Sequence, residues 1–376
     1  MNRRTFLATT TGVALAALAA GCQPVVSGDL ILALLTGSVP VQLVQAFQRQ
    51  QAKAGKVGLM AKDSLLALYT LLQSWDKQAE EAKTEEATAL RRTTVAHWVT
   101  QADYWLASAI QQGLIQPIDA QAVERWAQLP AVWPQLVTRN NQGAMDASGK
   151  IWGIPYRWTG LAILYDARRF KGTLQTWNDL LHPALTRQIL LPDHPRLVLG
   201  LALKGLGASA NHEDPAAVAD FEDFVTQLHG QVKGYNSDHT LKSLIIGDAT
   251  AVVGWLDAML PVAKQYRNLR IAIPTEGTLV SADLWVKPKS AEAATPLATD
   301  WLNFCLADEF ATQMAIYNQG LSPWLWGKSA DQLPDGLEMQ KALFESPTGL
   351  ERSEFLMPLS STAQTKYDEL WQRMRT

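Results

Sequence analysis

The sequence predicts an α/β fold of two lobes, each built on a mostly parallel sheet flanked by helices. Two observations carry the prediction. Apolar runs with strand character alternate with helix-period segments from Leu30 onward, and a chain of 376 residues exceeds what one hydrophobic core usually fills. Sheets of this kind leave crevices at their strand ends, where small molecules bind.

Taken in order, Leu30–Leu35 is a continuous apolar run suited to a strand buried on both faces. Thr36-Gly37-Ser38 makes a loop, and Pro40 opens an amphipathic helix through Gln50. Val57–Ala61 and Leu65–Gln73 repeat the strand-helix order. Residues 76–92 are rich in Ala, Glu, Lys and Thr, with little apolar periodicity, and read as a solvated helical insertion. Tyr104–Gln112 reads as a helix ending at Gly113, a natural C-cap. Ile151–Pro155, Leu161–Tyr165, Ile189–Leu191, Val252–Trp255, Leu269–Ile273 and Leu284–Val286 supply short strands. Thr176-Trp177-Asn178-Asp179 has the form of a variant capping box opening a helix. Leu197–Leu206 and Pro215–Leu228 read as helices, the second capped by Asp214. Pro296–Leu306, Phe310–Tyr317 and Thr362–Met374 complete a helical C-terminal part.

Ahead of this body, Asn2-Arg3-Arg4-Thr5-Phe6-Leu7 is a positive n-region and Thr9–Ala20 a short apolar run, with small residues at Leu18-Ala19-Ala20-Gly21-Cys22. A spanning helix needs roughly 20 strongly apolar residues, so the segment is too short to be one. Its pattern resembles a bacterial twin-arginine lipoprotein signal. That resemblance implies removal of residues 1–21, acylation of Cys22, a tether over 22–28, and a periplasmic protein anchored to the membrane by lipid. Loss of residues 1–21 removes Arg3 and Arg4 and no acid, leaving 31 basic against 36 acidic side chains. A body of that charge has no basic patch large enough to displace phosphate counterions, so no nucleic-acid partner is expected. Apart from Cys22 the chain has only Cys305, in an apolar run, where it reads as a small core residue.

Catalytic signatures are absent: the sequence has no convincing Gly-x-Ser-x-Gly elbow, Ser-x-x-Lys set, His-Glu-x-x-His, P-loop or dinucleotide fingerprint. The six histidines are scattered, and no metal or other cofactor is expected. The chain is therefore read as a non-enzyme.

Several segments, in combination, resemble the spermidine/putrescine-binding receptors of bacterial ABC importers, within the extracellular solute-binding proteins. They are Trp152-Gly153-Ile154-Pro155-Tyr156-Arg157-Trp158-Thr159-Gly160-Leu161-Ala162-Ile163, Thr176-Trp177-Asn178-Asp179-Leu180 followed by Ile189-Leu190-Leu191-Pro192-Asp193, Tyr235-Asn236-Ser237-Asp238 and Ala251-Val252-Val253-Gly254-Trp255. Gln111–Ile118 adds the family's helix exit from the first lobe. The resemblance implies a two-lobed periplasmic binding protein fold with two crossing strands and a ligand cleft between the lobes. Residues 29–155 with 280–324 would form lobe 1, and 156–279 with 325–376 lobe 2. It further implies a small-molecule solute, an inner-membrane ABC permease as partner, and a monomer.

A polyamine site needs carboxylates for the ammonium groups and aromatic faces for the methylenes. By family position, Tyr104 and Trp255 are implied ligand aromatics, with Tyr156 and Trp158 in an adjacent segment, and Asp193 and His194 stand in the second-lobe ligand stretch. His194 and Leu197 occupy positions where these receptors carry carboxylates, and Leu35 and Ser38 positions that are normally aromatic. Asp257 and Asp283 are the alternative anions. Arg157 would repel an ammonium if it pointed inward, which favours an outward orientation or an anionic or zwitterionic solute. The cargo therefore reads as a polyamine or as another small solute, with a hydrolase or structural envelope protein on the same fold as the lesser alternative.

Overall fold

The computed structural model describes residues 26–84, 94–237, 239–333, 335, 337 and 350–375. The expected signal at 1–21, Cys22 and residues 85–92 of the expected insertion lie outside the described residues. The first lobe opens with β1 (Leu30–Leu35), α1 (Val41–Gln50), β2 (Val57–Lys62), α2 (Leu65–Thr84) and β3 (Trp98–Ala102). β1 lies between β2 and β3 and runs parallel to both. Helices cover both faces of such strands, which is why the Leu30–Leu35 run carries no polar residue.

After α3 (Leu106–Gln111), β4 (Ile115–Gln116), α4 (Val132–Val137) and the short pair β5 (Thr138–Arg139) and β6 (Lys150–Ile151), the chain enters the 13-residue strand β7 (Ile154–Asp166). The second lobe then follows as β8 (Ile189–Leu191), α5 (Pro195–Gly205), α6 (Phe221–Gln231), β9 (Val232–Tyr235), α7 (Thr240–Ile245), β10 (Ala251–Trp255), α8 (Leu256–Gln265) and β11 (Leu269–Ala272). β12 (Leu279–Pro288) returns to the first lobe, and α9 (Pro296–Cys305), α10 (Asp308–Asn318), β13 (Glu354–Phe355) and α11 (Ser361–Met374) follow.

Two long strands join the lobes. The first half of β7 pairs antiparallel with β12, and its second half pairs with β10 and β11. β12 in turn pairs antiparallel with β3 and carries the first lobe's sheet, while β8 pairs in parallel with β9 and β10 in the second. The sheets are thus mixed: parallel strands in each lobe, flanked by antiparallel crossing strands. Along β7 the alternation of the pleat divides the core, with Ala162 and Leu164 in one buried cluster and Leu161, Ile163 and Tyr165 in the other.

Several expected elements changed shape. Ile151–Pro155 and Leu161–Tyr165 belong to one nearly continuous run, because Arg157 and Thr159 between them face the cleft rather than ending a strand. The capping sequence at Thr176 closes only a 3-10 turn, Asn178–Leu181, where the Asp179 carboxylate accepts from the backbone N–H groups of Gln175 and Thr176 before Pro183 intervenes. Asp214 does not cap a long helix: a 3-10 turn at Pro215–Ala217 gives way to left-handed Asp220, and α6 starts after it. The helix expected at Leu65–Gln73 runs on to Thr84.

Candidate functional site

A cavity of about 210 Å3 opens between the lobes. Its floor is the crossing strands. Arg157 and Thr159 of β7 and Ser281 and Asp283 of β12 share one face by the two-residue period, with Thr159 opposite Ser281 and Arg157 opposite Asp283. A register shift between Asp283 and Leu284 leaves Tyr156 without a cross-strand partner. The bulge thus sets two residues of β7 side by side: Arg157 meets the cleft while Tyr156 is buried, stacked on Trp285 at 4.6 Å and hydrogen-bonded to Thr100 at 3.1 Å. The first-lobe wall is Leu35 at the end of β1, Leu65 at the start of α2 and Tyr104 just after β3. Trp255, Asp257 and Ala258, at the junction of β10 and α8, come from the second lobe. Every wall therefore meets the cavity at a strand end or helix start, as open α/β sheets dictate.

Arg157 is clamped by two carboxylates. Its Nε donates to Asp283 Oδ2 at 2.8 Å and Nη1 to Asp257 Oδ2 at 3.1 Å, while Nη2 makes an ion-pair contact with Asp283 Oδ2 at 2.6 Å. Thr159 Oγ1 donates to the other Asp257 oxygen at 3.0 Å. Burial works to lower the Arg157 guanidinium, but the carboxylates of Asp283 and Asp257 outweigh it and hold the group charged. Burial also pushes the Asp283 carboxyl above its ordinary value, against the pull of Arg157; with two guanidinium nitrogens on one oxygen, it is the ion that the geometry serves. Gly320 leaves room for this arrangement, since a Cβ there would strike Cγ and Cδ of Arg157.

Beneath the floor, Asp103 is buried and accepts from Ser281 Oγ at 2.7 Å and from the Ala282 N–H at 2.9 Å. Burial raises its carboxyl from 3.8 to about 6, opposed by those two hydrogen bonds. A folded-state value above the unfolded one makes the protonated form the favoured one on folding, so this group's contribution is fully present below about pH 4 and is lost as pH rises through about 6. Asp103→Asn is expected to flatten the stability curve between pH 4 and 6 by about 2 kcal/mol, measured as urea midpoints across that range. An unchanged slope would show that Asp103 is ionised throughout.

Of the residues expected from sequence, the structure brings Tyr104, Trp158, Trp255, Asp257 and Asp283 to one cavity. Trp158 is mostly a core residue, with its ring against Trp133 and Trp326 and its Nε1 donating to Ser322 O at 3.0 Å. Tyr156 does not line the cavity: it is buried against Trp285 and Thr100. Asp193 and His194 are not among the cavity's lining residues: Asp193 Oδ1 accepts from Arg375 at 2.9 Å, and exposed His194 stands at the N-cap of α5. Sequence reasoning missed Thr159, Ser281, Leu65 and Ala258. For the first two the signal was present, since each stands two residues from a recognised cleft residue on the same strand.

A second compartment of about 230 Å3 adjoins the first at Trp255 and Ala258. Pro192, Leu197, Asn236, Ser237, Thr240 and Met259 are among its walls. Among the described residues no group of three or more His, Cys, Asp or Glu side chains is placed to hold a metal, and no helix is long and apolar enough to cross a membrane.

Two α/β lobes joined by two crossing strands, with a cavity lined from both, define the two-lobed fold of the periplasmic binding proteins. The chain belongs to the bacterial extracellular solute-binding protein family, whose model matches residues 99–344. Among curated relatives, the spermidine/putrescine-binding periplasmic protein 1 of Haemophilus influenzae is 22% identical over 281 residues, covering 74% of each chain. The spermidine/putrescine-binding periplasmic protein of Salmonella typhimurium is 24% identical over 282 residues, covering 74% of this chain and 76% of its own. The structure of the spermidine/putrescine ABC transporter substrate-binding protein from Streptococcus pneumoniae superposes with a TM-score of 0.75 at 22% identity, covering 92% of this chain and 99% of that one.

Proposed function

We propose that this chain is the extracytoplasmic receptor of an ABC importer and holds a small amine between its lobes. The observation that carries the reading is the placement of Asp257 and Asp283 with the rings of Tyr104 and Trp255 around one interlobe cavity. Carboxylates pair an ammonium, and aromatic faces cover the adjoining methylenes. A ligand touching both lobes favours the closed arrangement of a hinged pair. The names of the relatives support an amine, with a polyamine as the form they point to. A solute other than a polyamine is the second reading, and the observation that favours it is Arg157 inside the cavity.

Calorimetric titration of ligand-stripped protein with putrescine, spermidine and singly charged amines is expected to give heat with at least one of them at micromolar protein. Silence from all of them at millimolar concentration would overturn the amine reading.

The signal-like segment supports a second part of the proposal: Cys22 is acylated after export, and the tether keeps the receptor near its permease, raising the local concentration there. Cys22→Ser is expected to move the protein from the membrane fraction to the soluble periplasmic fraction and to abolish labelling by a palmitate analogue. Unchanged fractionation and labelling would remove the anchor from the model of delivery.

A further inference from the structure

The cleft already contains a cation. Arg157 spends its Nε, Nη1 and Nη2 on the two carboxylates that a diamine would need, one from the second lobe's α8 and one from the floor strand β12. Its stem is packed against Gly320, so the guanidinium is built into the site. Two carboxylates against one guanidinium leave a single unit of negative charge facing the solute. Both contacts with Asp283 end on Oδ2, and no described residue donates to its Oδ1, which leaves that atom to receive an incoming N–H.

The rest of the cleft has the same character. The described lining of the second compartment holds no charged side chain: Asn236, Ser237 and Thr240 offer neutral polar atoms, and Pro192, Leu197 and Met259 offer apolar surface. A second ammonium there would lose its water without gaining a counter-charge from any of these described walls. Asp193, next in sequence to Pro192, is itself paired with a chain cation, Arg375, whose guanidinium also lies 4.9 Å over the rings of Tyr235 and Trp371. An anionic solute fares no better, because any group reaching Arg157 also meets the two carboxylates flanking it.

We propose that Arg157 is a built-in counter-cation filling one of the cleft's two cationic positions, so that the solute carries one ammonium and an uncharged polar or apolar tail rather than two or three ammonium groups. The proposal rests on the amine-receptor reading above. The ammonium sits at Asp283 beside Tyr104 and Trp255, and the tail extends past Trp255 into the neutral compartment. Arg157 thereby sets specificity by charge, excluding diamines by like-charge repulsion.

The matched probes are putrescine and N-acetylputrescine, which share a four-carbon chain and differ in whether the far nitrogen is charged. Wild-type protein, stripped of ligand and refolded, is expected to bind N-acetylputrescine at least tenfold more tightly than putrescine in calorimetric titration. Arg157→Met, which keeps the stem and removes the charge, is expected to raise putrescine affinity at least tenfold, and Arg157→Lys to keep the wild-type preference. The wild-type comparison stands even where Arg157→Met does not fold. Tighter binding of putrescine than of N-acetylputrescine by the wild type overturns the counter-cation while leaving the amine receptor in place. An Arg157→Met protein that is folded by thermal scan yet gains nothing for putrescine does the same. No binding of either probe by any folded variant, with none of putrescine, spermidine or other amines giving heat, overturns the receptor reading itself.

Discussion

Trp158→Ala is expected to lower the unfolding free energy by about 4 kcal/mol, within the range measured for removing a buried tryptophan. The indole is 1% exposed, its ring centroid lies 4.8 Å from Trp326 and 6.3 Å from Trp133, and its N–H satisfies the Ser322 carbonyl. Its backbone also exchanges two hydrogen bonds with Leu321, at 2.7 and 3.1 Å. Truncation therefore leaves a void against the Trp133 and Trp326 rings and removes one of the two hydrogen bonds that the Ser322 carbonyl accepts, the Leu325 N–H supplying the other. Amine affinity should fall together with stability, whereas Trp158→Phe, which keeps the ring contacts and loses only the N–H bond, should cost about 1–2 kcal/mol. Urea unfolding followed by circular dichroism checks both variants. A loss below about 1 kcal/mol for Trp158→Ala would mean that the aromatic cluster closes around the gap.

Much of the fold was legible because its strands are buried on both faces. Leu30–Leu35, Ile189–Leu191 and Ala251–Val253 have few polar residues to confuse the pattern, and the structure places them in the middle of the sheets. What the pattern concealed were the crossing strands. β7 is buried where it enters each lobe but places Arg157 and Thr159 on the cleft, so its apolar run breaks where the strand does not. The same holds for β12, whose Ser281 and Asp283 reduce its readable part to Leu284–Val286. The helices α7 and α8 escaped for another reason: α7 has only six residues, and α8 carries Pro261 inside it, a residue that reads as a helix breaker.

The site was legible by residue type more than by position. Tyr104, Trp158, Trp255, Asp257 and Asp283 were recognisable as amine-binding chemistry, and these five meet at one cavity. The burial of Tyr156 was not legible, because the irregularity that leaves it unpaired beside Arg157 has no signal in the residue pattern. Nor could spacing show that Asp193 would be taken by Arg375, 182 residues further on.

Asp283→Asn is expected to weaken binding of a singly charged amine at least a hundredfold, equivalent to about 2.7 kcal/mol. Two effects act together in this substitution. The cleft loses the one unit of negative charge left over after Arg157 is neutralised, and Arg157 loses the partner it contacts through Nε and Nη2, retaining only Asp257. Stability should fall by about 2 kcal/mol, less than the 3–5 kcal/mol typical of breaking a buried ion pair, because Asn keeps one acceptor and escapes the burial that raises the Asp283 carboxyl. A double-mutant cycle separates the parts. If Asp283 and Arg157 are coupled as the geometry requires, Asp283→Asn combined with Arg157→Met should be more stable than the sum of the single losses, by about 1–3 kcal/mol. Additive losses together with undiminished amine binding in Asp283→Asn would place the solute elsewhere in the cleft and leave the Arg157 clamp as architecture alone.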